Sequence, residues 1–261
     1  MDMHGPIGIF DSGVGGTSIW KEIKKMLPHE NTIYLADSAN APYGEKSKEE
    51  ILQLSIKNTE FLLQQDCKLI VVACNTATTN AIDYLRTHYN VPFIGIEPAI
   101  KPAALHTKTK KVGVLATQGT LSSSLFHNTS KLFAEGITVV EQEGKGLVEL
   151  IESGQINSVV TRGLLLSFLR PMLEQDIDCL VLGCTHYPYL IPLLQDILPD
   201  HISIIDSGEA VARQTKAVLE KNQLLNTKGQ PGEHLFCSNK GIEVLRNLVD
   251  DDNAQISYLD F

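Results

Sequence analysis

Apolar residues in this chain fall into short continuous runs, separated by stretches in which they recur every three or four positions. The runs predict strands near 7–10, 31–35, 68–73, 92–96, 111–116, 137–141, 178–183, 202–206, 234–237 and 256–260, and the spacing between most of them predicts helices. Strand and helix alternating at this pitch imply parallel sheets covered on both faces. Ser47-Lys48-Glu49-Glu50 is a capping box ahead of a helix over Ile51 to Leu63, and Pro28 closes a helix running through Ile19, Ile23 and Leu27. Pro171 lies in the apolar stretch from Val159 to Leu173 and is expected to bend or split it. Asn226 to Gly232, rich in Gly and Pro, is the expected surface loop.

The pattern repeats. Ile7-Gly8-Ile9-Phe10-Asp11-Ser12-Gly13 can be laid over Val112-Gly113-Val114-Leu115-Ala116-Thr117-Gln118 at an offset of 105. Val71-Val72-Ala73-Cys74-Asn75-Thr76 and Val181-Leu182-Gly183-Cys184-Thr185-His186 follow at an offset of 110. The chain thus reads as two similar α/β halves, against the alternative of chance likeness between buried parallel strands, which draw on a small alphabet. In open parallel sheets, ligands collect beyond the carboxyl ends of the strands. Asp11-Ser12, Cys74, Thr117 and Cys184 all fall at such ends. If the halves pack face to face, these ends line one cleft.

A chain of 261 residues can bury a full core without disulfides or metals. Its net charge of -9 and pI near 5.4 argue against a nucleic-acid or anionic-membrane partner. No apolar run approaches the ~20 residues of a membrane span. Met1 to Pro6 lack a basic start and an apolar core, so no signal peptide is expected. Five cysteines, an odd number, then read as reduced thiols in a cytoplasm.

Asp11-Ser12-Gly13-Val14-Gly15-Gly16 is a glycine-rich turn between strand and helix, where backbone N–H groups can hold an anion. A dinucleotide site is the competing reading, with Asp37 placed to bind a ribose. That fingerprint fails at Ser18, where the third glycine is needed, and Asp11 would repel a pyrophosphate. Cys67, Cys179 and Cys237 read as small buried hydrophobes. Cys74 and Cys184 differ because polar residues follow each, Asn75-Thr76 and Thr185-His186. Zinc on Cys74, Cys184 and His186 is conceivable, but no Cys-x-x-Cys spacing supports it. Two thiols flanking one pocket suit removal of a proton from one face of a carbon and its return to the other.

Six segments carry a resemblance: Gly8 to Gly16, Asp37 to Gly44, Ala73-Cys74-Asn75-Thr76-Ala77, Gly113 to Thr117 with Thr120, Gly183 to Pro188, and Ile205 to Gly208. Taken together, in this order and spacing, the sequence resembles the glutamate racemases of the aspartate/glutamate racemase superfamily. The resemblance implies two similar α/β domains with mainly parallel sheets, related by a pseudo-repeat, with the active site in the cleft between them: residues 1–97 with 208–261, and residues 98–207. It implies interconversion of L- and D-glutamate in the bacterial cytoplasm without pyridoxal phosphate, metal or other cofactor, supplying D-glutamate for peptidoglycan, by a homodimer with no nucleic-acid or membrane partner. It assigns Cys74 and Cys184 as the acid/base thiols, Asp11 as helper of the first, and His186 with Glu152 as helpers of the second. Asp11, Ser12, Tyr43, Gly44, Asn75, Thr76, Thr117, Thr120, Thr185 and His186 would hold the substrate. Glu152 rests only on its place in Leu147 to Gly154, where a solvated helix carboxylate is the alternative.

An amino-acid α-proton is a very weak acid, so the base must be thiolate-like and the developing carbanion must meet donors fixed in advance. A free cysteine, of pKa about 8.5, is mostly protonated at neutral pH. A neighbouring anion raises a thiol's pKa, so Asp11 would serve as a proton relay and as partner of the substrate ammonium. A cationic His186, favoured by Glu152, would stand as a counter-charge beside Cys184. The two sides are therefore chemically unequal. Aspartate racemases, which tend to carry Glu after the second Cys-Thr where this chain has His186, are the alternative within the class. A non-catalytic amino-acid-binding protein is the alternative outside it.

Overall fold

The computed structural model describes residues 4–133, 135–227 and 229–261. The first half runs β1 (Ile7–Asp11), α1 (Thr17–Met26), β2 (Thr32–Ala36), α2 (Lys48–Gln64), β3 (Leu69–Val72), α3 (Asn75–His88) and β4 (Phe93–Gly95). The second half runs α4 (Ile100–His106), β5 (Lys111–Ala116), α5 (Gln118–Leu121), α6 (Ser124–Phe133), β6 (Thr138–Glu143), α7 (Leu147–Glu152), α8 (Val159–Leu173), β7 (Cys179–Gly183), α9 (Ile191–Ile197) and β8 (Ser203–Ile205). The chain then returns to the first half with α10 (Gly208–Lys221), β9 (His234–Ser238), α11 (Glu243–Val249) and β10 (Ala254–Tyr258).

The strands form a six-stranded sheet in the order β10-β9-β2-β1-β3-β4 and a four-stranded sheet in the order β6-β5-β7-β8, with every pairing parallel. The order β2-β1-β3-β4 recurs as β6-β5-β7-β8, so β1 corresponds to β5 and β3 to β7. This is the correspondence that the two sequence offsets predict. The strand that leads to each of these thiols, β3 to Cys74 and β7 to Cys184, therefore sits beside the first strand of its own half, with its carboxyl end at the same edge.

Continuous apolar runs make these strands because both faces of each sheet are covered. Along β1 and β3, Ile7, Ile9, Leu69 and Val71 face one cluster with Ile19, Trp20 and Ile23 of α1, while Phe10, Ile70 and Val72 face another with Leu62 of α2 and Leu85 of α3. In the second sheet Val112, Val114 and Val181 pack on Ile100 and Phe126, whereas Leu115, Leu180 and Leu182 join Leu165 and Leu169 of α8. That last group belongs to the same cluster as the α1 face of the first sheet, so apolar core is continuous between the halves. Each fully buried Leu or Ile contributes about 1.5–3 kcal/mol.

The capping box forms as predicted: Glu50 N–H donates to Ser47 Oγ, and Ser47 N–H donates to Glu50 Oε2. Pro28 lies two residues beyond the end of α1. Pro171 does not split its helix; α8 runs unbroken from Val159 to Leu173. The proline stands in the last turn on the exposed face, so its missing N–H costs a single bond before the helix ends anyway. The expected loop over 226–232, of which residue 228 lies outside the described residues, is anchored at both ends. Asn226 N–H donates to Glu30 Oε1 at 2.7 Å, and Gly232 N–H donates to Pro28 O at 2.9 Å. Glu30 is itself held by Lys68 at 2.6 Å in an ion pair with side chains 2% and 0% exposed.

Candidate active site

The carboxyl ends of the two sheets face each other, and hydrogen bonds cross between them. Thr185 Oγ1, just beyond β7, donates to Asp11 Oδ1 at the end of β1 over 3.3 Å. Ser18 Oγ of α1 donates to the Thr185 carbonyl at 2.9 Å. The hydroxyls of Thr76 at the start of α3, Thr117 beyond β5 and Thr120 of α5 form a triangle with sides of 2.9, 3.0 and 3.5 Å. Thr17 Oγ1 and Tyr189 OH meet at 2.5 Å. Gly44 approaches so closely that a Cβ there would lie 3.0 Å from Thr117 Cβ. A small cleft opens beside this contact, between Pro42 and Gly44 on one side and Thr117 and Gln118 with Gly144 to Gly146 on the other.

Both predicted thiols are buried here, Cys74 4% and Cys184 7% exposed. Cys74 is the N-cap of α3, and its Sγ accepts the Ala77 N–H at 3.4 Å. Its thiol donates to Ser12 Oγ at 3.6 Å, and the Ser12 hydroxyl donates to Asp11 Oδ1 at 3.5 Å. Thiol, hydroxyl and carboxylate thus form a relay. Burial pushes the Cys74 thiol well above its ordinary range, and Asp11 adds to the rise. The Ala77 N–H and Ser12 bonds oppose it, and Cys184 is near enough to raise it further. Asp11 is also raised, chiefly by burial, against the pull of His186 and of the Gly16 N–H that it accepts at 2.8 Å.

The relay at Cys184 is of a different kind. His186 Nδ1 lies 3.7 Å from Cys184 Sγ, and His186 Nε2 lies 2.6 Å from Glu152 Oε1. Burial works against a charge on His186, but the bonds to Cys184 and Glu152 and the field of Asp11 hold its pKa well above the usual histidine value. Glu152 is held below the carboxylate range despite its burial, by His186, by the Val14 N–H and by Ser38. The two shifts agree, since each describes a carboxylate paired with an imidazolium.

The glycine-rich turn does hold an anion, and that anion is Glu152. Val14 N–H donates to Glu152 Oε1 at 2.6 Å. A Cβ on Gly13 would overlap the Glu152 carboxylate, and one on Gly15 would overlap the His186 ring. The glycines are therefore spaces for the other half's side chains.

Of the remaining predicted residues, Asn75 is buried at the start of α3 with neither its Oδ1 nor its Nδ2 paired in the protein. A buried amide left so costs about 1–3 kcal/mol per group, and a ligand beside Cys74 would relieve that cost. Tyr43 lies near Cys74, but its hydroxyl donates to Asp37 Oδ2 at 2.5 Å and accepts from Asn58 Nδ2 at 3.2 Å. It is buried between the two cleft residues Pro42 and Gly44, with its hydroxyl already engaged. Cys67, Cys179 and Cys237 are buried outside these relays. Burial raises Cys67 to about 12 and Cys179 to about 11. Among the described residues no three His, Cys, Asp or Glu are grouped to hold a metal ion.

Sequence reasoning missed Ser38, whose Oγ donates to Glu152 Oε2 at 2.8 Å. It also missed Asp37 as the acceptor for Tyr43, Asn40 and Asn239. The available signal was position, because both follow β2 at the edge that carries Asp11 and Cys74.

Residues 7–215 match the family described as Asp/Glu/Hydantoin racemase. The glutamate racemase of Herpetosiphon aurantiacus is 48% identical over 227 residues, 87% of this chain and 89% of that protein. The crystal structure of glutamate racemase isoform RacE1 from Bacillus anthracis superposes with a TM-score of 0.87 at 29% identity, over 99% of this chain and 98% of the other. Escherichia coli glutamate racemase, in complex with L-glutamate and the activator UDP-MurNAc-ala, superposes with a TM-score of 0.86 at 35% identity, over 97% of each chain.

Proposed function

The chain belongs to the Asp/Glu/Hydantoin racemase family and is a racemase, and from that premise we propose that it interconverts L- and D-glutamate with Cys74 and Cys184 as its two acid/base groups. The observation that carries this reading is the pair of unlike relays ending at thiols in equivalent places of the repeated sheet order. One thiol is linked through Ser12 to a carboxylate of raised pKa, the other directly to a histidine paired with a carboxylate.

In one direction Cys184, having passed its proton to His186, takes the α-hydrogen as a proton. The electron pair stays on the α-carbon and its carboxylate, and Cys74, which burial keeps as a thiol, returns a proton to the opposite face. In the other direction Cys74 passes its proton through Ser12 to Asp11, whose raised pKa suits it to receive one. Asp11 also meets the substrate ammonium. Asn75, with Thr76, Thr117, Thr120, Thr185 and the Gly44 backbone, holds the carboxylates; the unpaired Asn75 amide supports that part. The chemistry draws only on side chains, without metal or pyridoxal phosphate.

The cleft lies between two domains, 1–97 with 208–261 and 98–207, joined where Ser207 Oγ donates to the Glu97 carbonyl at 2.5 Å. The product D-glutamate serves peptidoglycan synthesis, and the working form is a cytoplasmic homodimer. Polarimetry of purified protein with L-glutamate should show rotation decaying to zero, from D-glutamate as well, in the presence of a chelator. Decay with L-aspartate alone would move the substrate to the shorter acid, and activity lost to chelator and restored by zinc would overturn the scheme.

A further inference from the structure

Glu152 belongs to the second half, yet two of its three hydrogen-bond donors come from the first. His186 Nε2 approaches Oε1 from its own half at 2.6 Å, whereas Val14 N–H reaches Oε1 at 2.6 Å and Ser38 Oγ reaches Oε2 at 2.8 Å. We propose that Ser38 is a positioning residue that latches Glu152 across the cleft, so that the His186 relay to Cys184 is complete only while the two halves are closed. The inference rests on the two-thiol reading for its consequence in catalysis, and on geometry alone for the latch.

Ser38 suits this role and no other in the chemistry. Its hydroxyl is buried, and its one proton is spent on Glu152. It starts a short turn, Ser38–Asn40, after β2, and its neighbours fix that turn from both sides. Asp37 accepts from Tyr43, Asn40 and Asn239, while Ala39 N–H donates to Asn239 Oδ1 at 2.9 Å. By occupying Oε2, Ser38 turns Oε1 toward both His186 and Val14. Separation of the halves removes the Ser38 and Val14 donors together, and the carboxylate then loses much of what keeps it charged beside the imidazolium. The ionisable groups that face His186 are Cys184 beyond β7, Glu152 of α7 and Asp11 of β1, and the Tyr34 phenol of β2 also lies in the field of Glu152. Of these only Glu152 is held by donors from across the cleft and also hydrogen-bonds the imidazole.

The test compares full-length wild type with Ser38→Ala and Ser38→Thr. NMR titration of the His186 ring in isotope-labelled protein without substrate reads the latch directly. One lost hydrogen bond to the carboxylate should lower the His186 midpoint by about half a unit or more in Ser38→Ala, and Ser38→Thr, which keeps the donor, should restore it. Exchange of the Val14 amide should quicken about tenfold in Ser38→Ala, since its acceptor is no longer held. In the racemization assay kcat should fall about tenfold with KM nearly unchanged, again restored by threonine. An unmoved His186 midpoint in folded Ser38→Ala overturns the latch. Wild-type protein that fails to racemize glutamate overturns the functional reading instead, and the titration still decides the latch.

Discussion

Gly13→Ala places one methyl group where the Glu152 carboxylate now lies, with a Cβ 2.6 Å from Glu152 Cδ and closer still to Oε1. Gly13 is not among the glycines with positive φ, which are Gly136, Gly146 and Gly154, so alanine carries no backbone penalty there. The whole effect therefore falls on Glu152. Its side chain is 11% exposed and can swing toward water, which returns hydration to the carboxylate and limits the stability loss to about 1–2 kcal/mol. His186 does not recover so easily, because its Nε2 loses a charge-assisted bond worth about 1.5–3 kcal/mol inside a closed site. At about 1.4 kcal/mol per decade, racemization should fall roughly 10- to 150-fold. The kcat/KM values followed by circular dichroism should fall equally from L- and D-glutamate, because enantiomers in water have an equilibrium constant of one. A folded Gly13→Ala enzyme within about threefold of wild type would refute the claim that Glu152 must occupy that space.

Cys74→Ser and Cys184→Ser should each abolish racemization while thermal melting changes little, whereas Cys67→Ser, under the tight contact with Gly8, should cost about 1–3 kcal/mol and leave the activity per folded molecule intact. Gly163→Ala, on the exposed face of α8 with no atom near its added methyl, should raise stability by about 0.5–1 kcal/mol without altering rates. The Glu152–His186 pair should shape stability against pH. Glu152, lowered in the fold, contributes stability that is present above its unfolded pKa and lost as pH falls through its folded one. His186, raised, contributes stability that is present below its unfolded pKa and lost as pH rises through its folded one. Melting temperature should therefore decline on both sides of neutrality, and Glu152→Gln should flatten both limbs; a mutant profile parallel to wild type would count against the pairing.

The strands were legible because strands buried on both faces are continuous apolar runs, and the thiols because each follows such a run immediately. The repeat was legible through β1, β3, β5 and β7 alone, and those four placed Asp11, Cys74, Thr117 and Cys184 at one edge. Attachment of β9 and β10 beside β2 was not, since a local pattern states that a strand exists and not which edge it joins. Glu152 shows the same boundary at the site. Its partners Val14 and Ser38 lie 138 and 114 positions away, and the chemistry of one carboxylate does not name a distant N–H or hydroxyl. The glycines at 13 and 15 signalled close approach correctly, but what approaches is the protein's own carboxylate and imidazole. Pro171 misled because its cost depends on how much helix follows it, and only two residues do.

The recurrence of one strand order in both sheets has a consequence for ligand selectivity. On the two-thiol reading proposed above, a compound and its mirror image would meet the same pair of sulfur atoms at equivalent strand ends, so the thiols would offer no basis for preferring one hand. Preference must come from the unlike companions, hydroxyl and carboxylate beside one sulfur, imidazole beside the other. A warhead placed opposite Cys184 would answer to a cationic imidazole neighbour, and its enantiomer, placed opposite Cys74, to a hydroxyl backed by a carboxyl group. Handedness in an inhibitor would thus be set by matching charge to the relay, within a frame that is itself even-handed.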